Sequence, residues 1–239
     1  MWSEERGFYF DLDAQQNQLG VRTVAAFWTL IAGVAPPDRA ARLVAALEDP
    51  AAYDRPHPVP TVAADEPGYV AEGGYWRGGV WAPINQMVVL GLDRAGYHDL
   101  ATRIATKHVD ALARIHEQEG TVFEYYSPER FDPGDNDHRD FVGWSGTGPI
   151  GFFVTHVVGV QGDAEGERLT WRLSQPGRAC GVDHYWFAGR RLDLRADPEG
   201  DGWRFRLVGG RGLTLTAHTP DGATATAVVD SDDWSLVVA

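Results

Sequence analysis

An aromatic, glycine-rich segment offers the clearest candidates for a chemical role. It reads Gly73-Gly-Tyr-Trp-Arg-Gly-Gly-Val-Trp81 and continues as Ala82-Pro-Ile-Asn85. Flat aromatic rings stack on the apolar face of a sugar, and glycines let the backbone approach a ligand closely. Arginine and asparagine side chains donate hydrogen bonds to hydroxyl groups. The segment therefore indicates either a sugar-binding loop or a tight turn that carries two core tryptophans, and spacing alone leaves both interpretations open.

A second segment, Gly120-Thr-Val-Phe-Glu-Tyr-Tyr-Ser-Pro-Glu129, places the carboxylate of Glu124 among aromatic residues. Aromatic surroundings can raise the pKa of a carboxylic acid and hold it in position, as a general base requires. The simpler interpretation is a surface glutamate between two half-buried tyrosines, and the local sequence by itself favours it.

The secondary structure that carries these segments falls into two regions. Up to residue 160 the apolar residues recur with helical spacing, and afterwards short alternating runs are separated by Gly, Pro and Asp turns. We expect a mainly α fold over residues 1–160, followed by a small antiparallel β-sandwich domain over 161–239. The five predicted helices are Leu19–Gly33, Asp38–Glu48, Pro83–Gly96, Asp99–Gln118 and Gly148–Gly159.

Composition restricts the classes of partner. In 239 residues, Lys and Arg total 21 against 34 Asp and Glu, so the formal charge is −13. Such a chain lacks the basic face that nucleic-acid binding needs. No apolar run reaches the roughly 20 residues that cross a bilayer, and the N-terminus lacks the layout of a signal peptide. We therefore expect a cytoplasmic protein without nucleic-acid or membrane partners. The single cysteine, Cys180, excludes an internal disulfide framework.

Other polar and aromatic groups have simpler explanations. The stretch 132–140 has four aspartates in nine residues but lacks the ligand spacing of a calcium loop. The histidines form no i, i+4 pair for zinc, so we expect no metal and no other cofactor. In the β region, tryptophans at alternating strand positions favour core packing over a sugar platform. These tryptophans are Trp171, Trp186, Trp203 and Trp234.

Five segments, in order, resemble glycoside hydrolase family 63, which includes mannosylglycerate and glucosylglycerate hydrolases and is related to the trehalases. The segment Tyr75–Asn85 resembles the family's Tyr-Trp-Arg-Gly-Pro motif, with Gly79 in place of the proline. The other four matching segments are Gly7–Asp11, Val59–Val62, Glu124–Pro128 and Phe141–Ser145.

The resemblance implies an (α/α)6 barrel that hydrolyses α-glycosidic bonds of a small carbohydrate substrate with inversion. It implies that Glu124 is the general base. It also implies that the sugar site is lined by Tyr75, Trp76, Gly78 and Trp81. From the same segments we add as candidate substrate-binding residues Arg77, Asn85, Tyr126 and Trp144.

One family feature has no counterpart here. The family's general acid lies in an upstream Gly-x-Asp-x-Ser-Pro segment that this sequence lacks, and the predicted helices are too few for a whole barrel. We therefore expect the C-terminal portion of the barrel. Its missing half comes from an upstream half-barrel chain, its open face is covered by self-association, or the sequence is a piece of a larger enzyme, which is the alternative that we favour. The alternative is a carbohydrate-binding remnant without catalysis. A sugar isomerase is a weaker alternative, because the expected pair of histidines is not visible.

Overall fold

The computed structural model describes residues 1–239, which form two compact units. The first unit contains residues 1–152 and the second contains residues 153–239. None of the helices combines the length and the apolar composition that crossing a membrane requires.

Five α-helices and two short strands form the first unit. A 3-10 helix over Val24–Phe27 leads into the first of them. The longest helix ends where Gly120 takes a φ of 72°, a left-handed conformation that favours glycine. The helices are α1 (Trp28–Ile31), α2 (Pro37–Leu47), α3 (Ala82–Arg94), α4 (His98–Glu119) and α5 (Gly148–Phe152), and the strands are β1 (Trp2–Ser3) and β2 (Phe8–Tyr9).

Helix α3 lies at the centre of the first unit. It packs against α1, α4 and α5. Gly91 permits the close approach of α1, because a Cβ atom at this position would lie only 3.0 Å from the backbone nitrogen of Ile31. The rings of Phe27 and Tyr53 meet edge to face at 5.0 Å and join the same core. Trp81 immediately precedes α3, so the start of this central helix fixes the end of the aromatic segment.

Two long loops, which connect α2 to α3 and α4 to α5, are tied together by backbone pairing. Val80 and Tyr126 exchange both of their backbone N–H···O bonds, at 2.9 and 3.0 Å. Arg55 in the first loop binds the Glu129 carboxylate in the second through two hydrogen bonds of 2.7 Å. The pairing places the aromatic segment next to the segment that contains Glu124.

Eight strands form two four-stranded sheets in the second unit, after a π-helix over Phe153–Val157. The strands are β3 (Val160–Asp163), β4 (Arg168–Arg172), β5 (Cys180–Phe187), β6 (Arg190–Glu199), β7 (Gly202–Val208), β8 (Thr214–His218), β9 (Thr224–Val228) and β10 (Asp233–Val238). The sheet orders are β3-β4-β8-β9 and β10-β7-β6-β5. Neighbouring strands are antiparallel except β4 and β8, which run parallel.

The two sheets share one hydrophobic core. Trp171 of β4 and Phe205 of β7 meet edge to face with their ring centroids 5.3 Å apart. Along β6, Leu192 and Leu194 are buried, whereas Asp193 between them is not. Successive side chains of a strand point to opposite faces of its sheet, so the residues between the core positions form an outer, polar face.

The expectation of a mainly α fold, a partial (α/α)6 six-hairpin barrel followed by an antiparallel β-sandwich, is wrong. Helix accounts for 27% of the chain and strand for 26%, in three sheets. The two long loops contain many Gly and Pro residues, which interrupt helices and strands. Where these loops pair through their backbones, they do so as isolated β-bridges and not as strands. The parallel pairing of β4 with β8 also departs from the expected antiparallel arrangement.

The predicted helix over Leu19–Gly33 is shorter than its apolar spacing indicates. Helical turns cover only Val24–Ile31. The backbone N–H of Val24 donates to the carbonyl oxygen of Thr61 at 2.9 Å, and Thr23 pairs with Val62. The backbone of Thr23 and Val24 therefore pairs with a distant loop and does not continue a helical turn from the residues before it.

Candidate functional site

The aromatic segment forms a tight turn whose backbone is held from both sides. The backbone N–H of Val70 donates to the Arg77 carbonyl oxygen at 2.7 Å, and the N–H of Gly78 donates to Oγ1 of Thr61 at 3.0 Å. Gly78 has a φ of 130°, and a Cβ atom on it would lie 2.7 Å from the Val70 carbonyl oxygen. A side chain at this position is therefore excluded, and Gly78 acts by letting two backbone segments approach each other.

Three aromatic rings form a stack at this turn. The rings of Trp76 and Trp81 are nearly parallel, 4.4 Å apart with an interplanar angle of 4°. On the other side of Trp81 lies the ring of Tyr125, at 4.9 Å and 15°. Trp81 is 1% exposed, whereas Trp76 is 45% exposed. Both faces of Trp81 are therefore covered, and Trp76 is the ring of the stack with a face open to a ligand.

Two further rings border the stack edge-on. Tyr75 contacts Trp76 and Trp81 with centroid distances of 5.7 and 5.0 Å. Trp144, from the second long loop, lies 6.5 Å from Trp76 and 6.1 Å from Trp81. Both are exposed. We call these five residues the aromatic cluster: Tyr75, Trp76, Trp81, Tyr125 and Trp144.

Glu124 borders the aromatic cluster through its chain neighbours. It precedes Tyr125, and its carboxylate lies against Gly143, where a Cβ atom would be 2.7 Å from Oε1 of Glu124. The hydroxyl of Ser145 donates to the Glu124 carbonyl oxygen. The segment that carries Trp144 is thereby fixed next to a half-buried carboxylate.

The acidic stretch 132–140 folds back onto the Glu124 segment. Oδ2 of Asp137 accepts the backbone N–H of Tyr125 at 2.9 Å, and its Oδ1 accepts the backbone N–H of His138 at 2.8 Å. The Tyr125 hydroxyl donates to the carbonyl oxygen of Asp135. No group of three His, Cys, Asp or Glu side chains converges as a metal site. The stretch holds the backbone of the Glu124 segment in position.

Two causes raise the pKa of the Glu124 carboxyl above its ordinary value. Desolvation by burial is the larger, and the negative charge of Asp137 adds to it. Desolvation also raises the pKa of Asp137, against the effect of the backbone hydrogen bonds that it accepts. A carboxylate with a higher pKa binds protons more readily and is a stronger base. The burial of Glu124 and its proximity to Asp137 therefore suit proton transfer at Glu124.

Replacing Asp137 with asparagine is expected to lower the pKa of Glu124. The substitution removes a negative charge and keeps an oxygen that accepts the Tyr125 N–H. The ¹³C shift of the Glu124 carboxyl, assigned with Glu124→Gln, measures this pKa directly.

Asp135→Asn is the matched control. Asp135 bonds to Tyr125 through its backbone carbonyl oxygen, so the substitution of its side chain leaves this bond in place. We expect this control to leave the Glu124 titration where it is. An unchanged Glu124 pKa in the Asp137→Asn variant would contradict the coupling of the two carboxylates.

Asn85 lies apart from the aromatic cluster, in the buried interior. Its Oδ1 accepts the backbone N–H of Val59 at 3.1 Å, and its Nδ2 donates to the Pro58 carbonyl oxygen at 2.7 Å. Its Nδ2 also lies 3.2 Å from Nδ1 of His108, which is 2.9 Å from Nε2 of His57. Desolvation lowers the pKa of both imidazoles, that of His108 to about 3. This neutral network anchors the first long loop to α3 and α4.

Tyr126 also faces away from the aromatic cluster. Its hydroxyl accepts the Phe123 N–H at 2.9 Å, and its ring lies 5.4 Å from that of His57. Because Tyr126 pairs with Val80 in an extended segment, Tyr125 and Tyr126 point to opposite sides. Arg77 is exposed, and its guanidinium has no hydrogen bond or ion pair within the chain.

The structure thus brings together four of the predicted residues: Tyr75, Trp76, Trp81 and Trp144. Gly78 supports their turn, and Glu124 borders them. Two residues of the site, Tyr125 and Asp137, are not among those predicted. For Tyr125 the available signal was its position beside Glu124, but choosing between two adjacent tyrosines required the pairing partner. For Asp137 the signal was the acidic stretch itself, whose place in the fold the sequence does not specify.

The first unit matches a known family of proteins. Residues 1–145 match the family of mannosylglycerate hydrolase MGH1-like glycoside hydrolase domains. The mannosylglycerate hydrolase of Thermus thermophilus is 39% identical over 132 residues, which cover 54% of this chain and 29% of that protein. The chain therefore spans about a third or less of the length of such relatives.

Two solved structures are also similar. The crystal structure of GH63 mannosylglycerate hydrolase from Thermus thermophilus in complex with glucose has a TM-score of 0.52 and 33% identity. The match covers 64% of this chain and 36% of that one. Neutral trehalase Nth1 from Saccharomyces cerevisiae has a TM-score of 0.54 at 23% identity, covering 64% of this chain and 27% of that one, and shows a likeness of fold alone. With more than half of its residues matched, this chain belongs to the family of mannosylglycerate hydrolase MGH1-like glycoside hydrolase domains.

Proposed function

We propose that the chain carries the sugar site and the general base of an inverting α-glycoside hydrolase. The substrate class is a glucosyl or mannosyl disaccharide or a glycoside of glycerate. The observation that carries the proposal is the open face of Trp76 in a ring cluster that includes Trp144, whose neighbour Gly143 lies against the half-buried carboxylate of Glu124. The matched relative from one Thermus thermophilus strain is a mannosylglycerate hydrolase, and the similar structure of such a hydrolase from another strain is a complex with glucose.

The sugar at the cleaved bond would stack on Trp76, with Tyr75 and Trp144 at its rim. Trp81 and Gly78 would act indirectly, since one supports the Trp76 ring and the other shapes the turn. The free guanidinium of Arg77 suits hydroxyl groups or a carboxylate such as that of glycerate. The two remaining candidates, Asn85 and Tyr126, would hold the backbone behind the site.

Glu124 would activate the water that attacks the anomeric carbon. An inverting reaction also needs a carboxylic acid on the opposite side of the bond, about 6.5–9.5 Å away, to protonate the departing oxygen. Asp137 is poorly suited, because both of its oxygens already accept backbone N–H groups. We propose that the acid comes from polypeptide outside these 239 residues, in line with the absence of the family's acid-bearing segment from the sequence.

The test is hydrolysis of mannosylglycerate, glucosylglycerate and trehalose by the chain alone and by the chain combined with polypeptide that carries the acid segment. We expect turnover only in the combined form. From mannosylglycerate and glucosylglycerate, whose leaving group is not a reducing sugar, the β-anomer should be the first sugar product in ¹H NMR spectra. An α-anomer formed first would overturn the inverting mechanism. Binding of these sugars in calorimetry without turnover in either form would instead support a carbohydrate-binding protein.

A further inference from the structure

A cavity of about 480 Å³ opens on the outer face of a sheet in the second unit. It belongs to the sheet β10-β7-β6-β5, and it involves no residue of the aromatic cluster. Its volume falls within the range of pockets that take small ligands. The lining residues are Asp183, Asp193, Leu194, Arg195, Arg206 and Val208.

Strand alternation and one irregularity build this cavity. Arg195 of β6 lies opposite Arg206 of β7, and Asp193 lies opposite Val208. In β5 the register shifts between Val182 and Tyr185, where two residues face one on β6. A bulge of this kind redirects side chains and is frequent beside binding sites. Asp183 is one of the two residues in this bulge, and its side chain lines the cavity.

The polar groups of the cavity are only partly used within the chain. Asp183 forms no hydrogen bond or ion pair. Arg195 forms an ion pair with Asp197, with Nε and Oδ1 3.6 Å apart, which is longer than a hydrogen bond. One oxygen of Asp193 accepts the His184 N–H at 2.7 Å, which leaves the other oxygen free. Carboxylate oxygens without a hydrogen bond therefore lie beside a guanidinium group that donates no hydrogen bond within the chain.

The remaining guanidinium is fixed and neutralised. Arg206 donates two hydrogen bonds to Asp233, of 2.7 and 2.6 Å. Since both arginines are in ion pairs and Asp183 and Asp193 are not, the lining carries an excess of negative charge and does not favour an anion. A cation in the cavity would lie close to the guanidinium groups of both Arg195 and Arg206, whose positive charges oppose it. An uncharged ligand with many hydroxyl groups fits this arrangement, because each hydroxyl both donates and accepts.

An exposed indole lies on the same face. Trp186 is 71% exposed and pairs with Arg191, which is two residues before Asp193 on the outer side of β6. By contrast, Trp171 and Trp203 are buried in the core between the sheets. Trp186 is therefore the tryptophan of this unit with a ring available for stacking on a sugar.

We propose that this cavity is a second saccharide-binding site, which takes an uncharged pyranoside through Asp183, Asp193 and Arg195, with Trp186 as a stacking surface at its edge. The site lies wholly within the second unit. Its occupation does not depend on Glu124 or on hydrolysis, so the site would bind a saccharide without cutting it.

Titration of the ¹⁵N-labelled full chain with maltose, and separately with methyl α-D-mannopyranoside, tests the site. We expect amide shifts in Gly181–Trp186 and Asp193–Arg195. Asp183→Asn should weaken this binding about tenfold, the effect of losing one charge-assisted hydrogen bond. Asp183 has no partner in the chain, so this substitution should not disturb folding.

Asp201→Asn, in the exposed β6–β7 turn, is the matched control and should bind as the unsubstituted chain does. Trp76→Ala should abolish sugar shifts in the first unit and leave those in the second, which separates this site from the aromatic cluster. Shifts confined to the first unit, no shifts at all, or an Asp183→Asn variant of unchanged affinity would each overturn the proposal.

Discussion

Replacing Glu124 with glutamine is expected to lower kcat/KM for an α-glycoside by about 10²–10⁴-fold, the usual contribution of a general base. The amide matches the carboxylate in size but does not take a proton from the attacking water. The aromatic cluster is unchanged by the substitution, so KM should change little. Steady-state kinetics of the hydrolytically competent form measure both quantities.

Glu117→Gln provides the matched control for this experiment. Glu117 lies on the exposed side of α4 and is not part of the aromatic cluster. Its replacement removes the same charge and should leave hydrolysis near the level of the unsubstituted protein. Full activity in Glu124→Gln would remove Glu124 from the role of general base.

Replacing Trp81 with alanine is expected to destabilise the first unit by about 3–5 kcal/mol, the typical cost of truncating a buried tryptophan. Its ring lies between those of Trp76 and Tyr125, so its truncation leaves a space between two rings. The loss should appear as a lower free energy of unfolding in urea. Sugar binding should be lost as well, because the support of Trp76 is removed.

Trp76→Ala is the informative partner of this variant. The Trp76 ring is 45% exposed, and its removal should cost about 0.5–1.5 kcal/mol of aromatic contact plus a fraction of its apolar burial. It should nevertheless abolish sugar binding at the aromatic cluster. Equal destabilisation by the two substitutions, or retained sugar binding in Trp76→Ala, would refute the distinction between a supporting ring and a contact ring.

Local pattern predicts the longer helices closely. The expected helix Asp99–Gln118 is observed as His98–Glu119, and the expected Asp38–Glu48 is observed as Pro37–Leu47. Both carry an apolar stripe at helical spacing, and each begins or ends at a proline or glycine. Such elements follow from short-range preferences that the rest of the fold does not override.

Elements whose backbone bonds to distant segments are predicted poorly. The helix expected from Leu19 starts only at Val24, because Val24 bonds to Thr61. The parallel neighbours β4 and β8 likewise depend on chain crossings that alternation does not encode. The mainly α expectation was wrong for the same reason, since it extended local helical spacing over the first 160 residues, where long loops bond to each other instead.

The family, the candidate base and the aromatic character of the site could all be inferred from the order of residues along the chain. Three features could be known only from the folded molecule. The ring of Trp76 is exposed, whereas that of Trp81 is buried. Tyr125 rather than Tyr126 joins the ring stack, and the side chain of Asn85 forms hydrogen bonds in the buried interior. The difference arises because the exposure of a side chain depends on what folds over it. Here the covering rings and carbonyl groups come from loops far apart in the sequence, so local spacing carries no information about them.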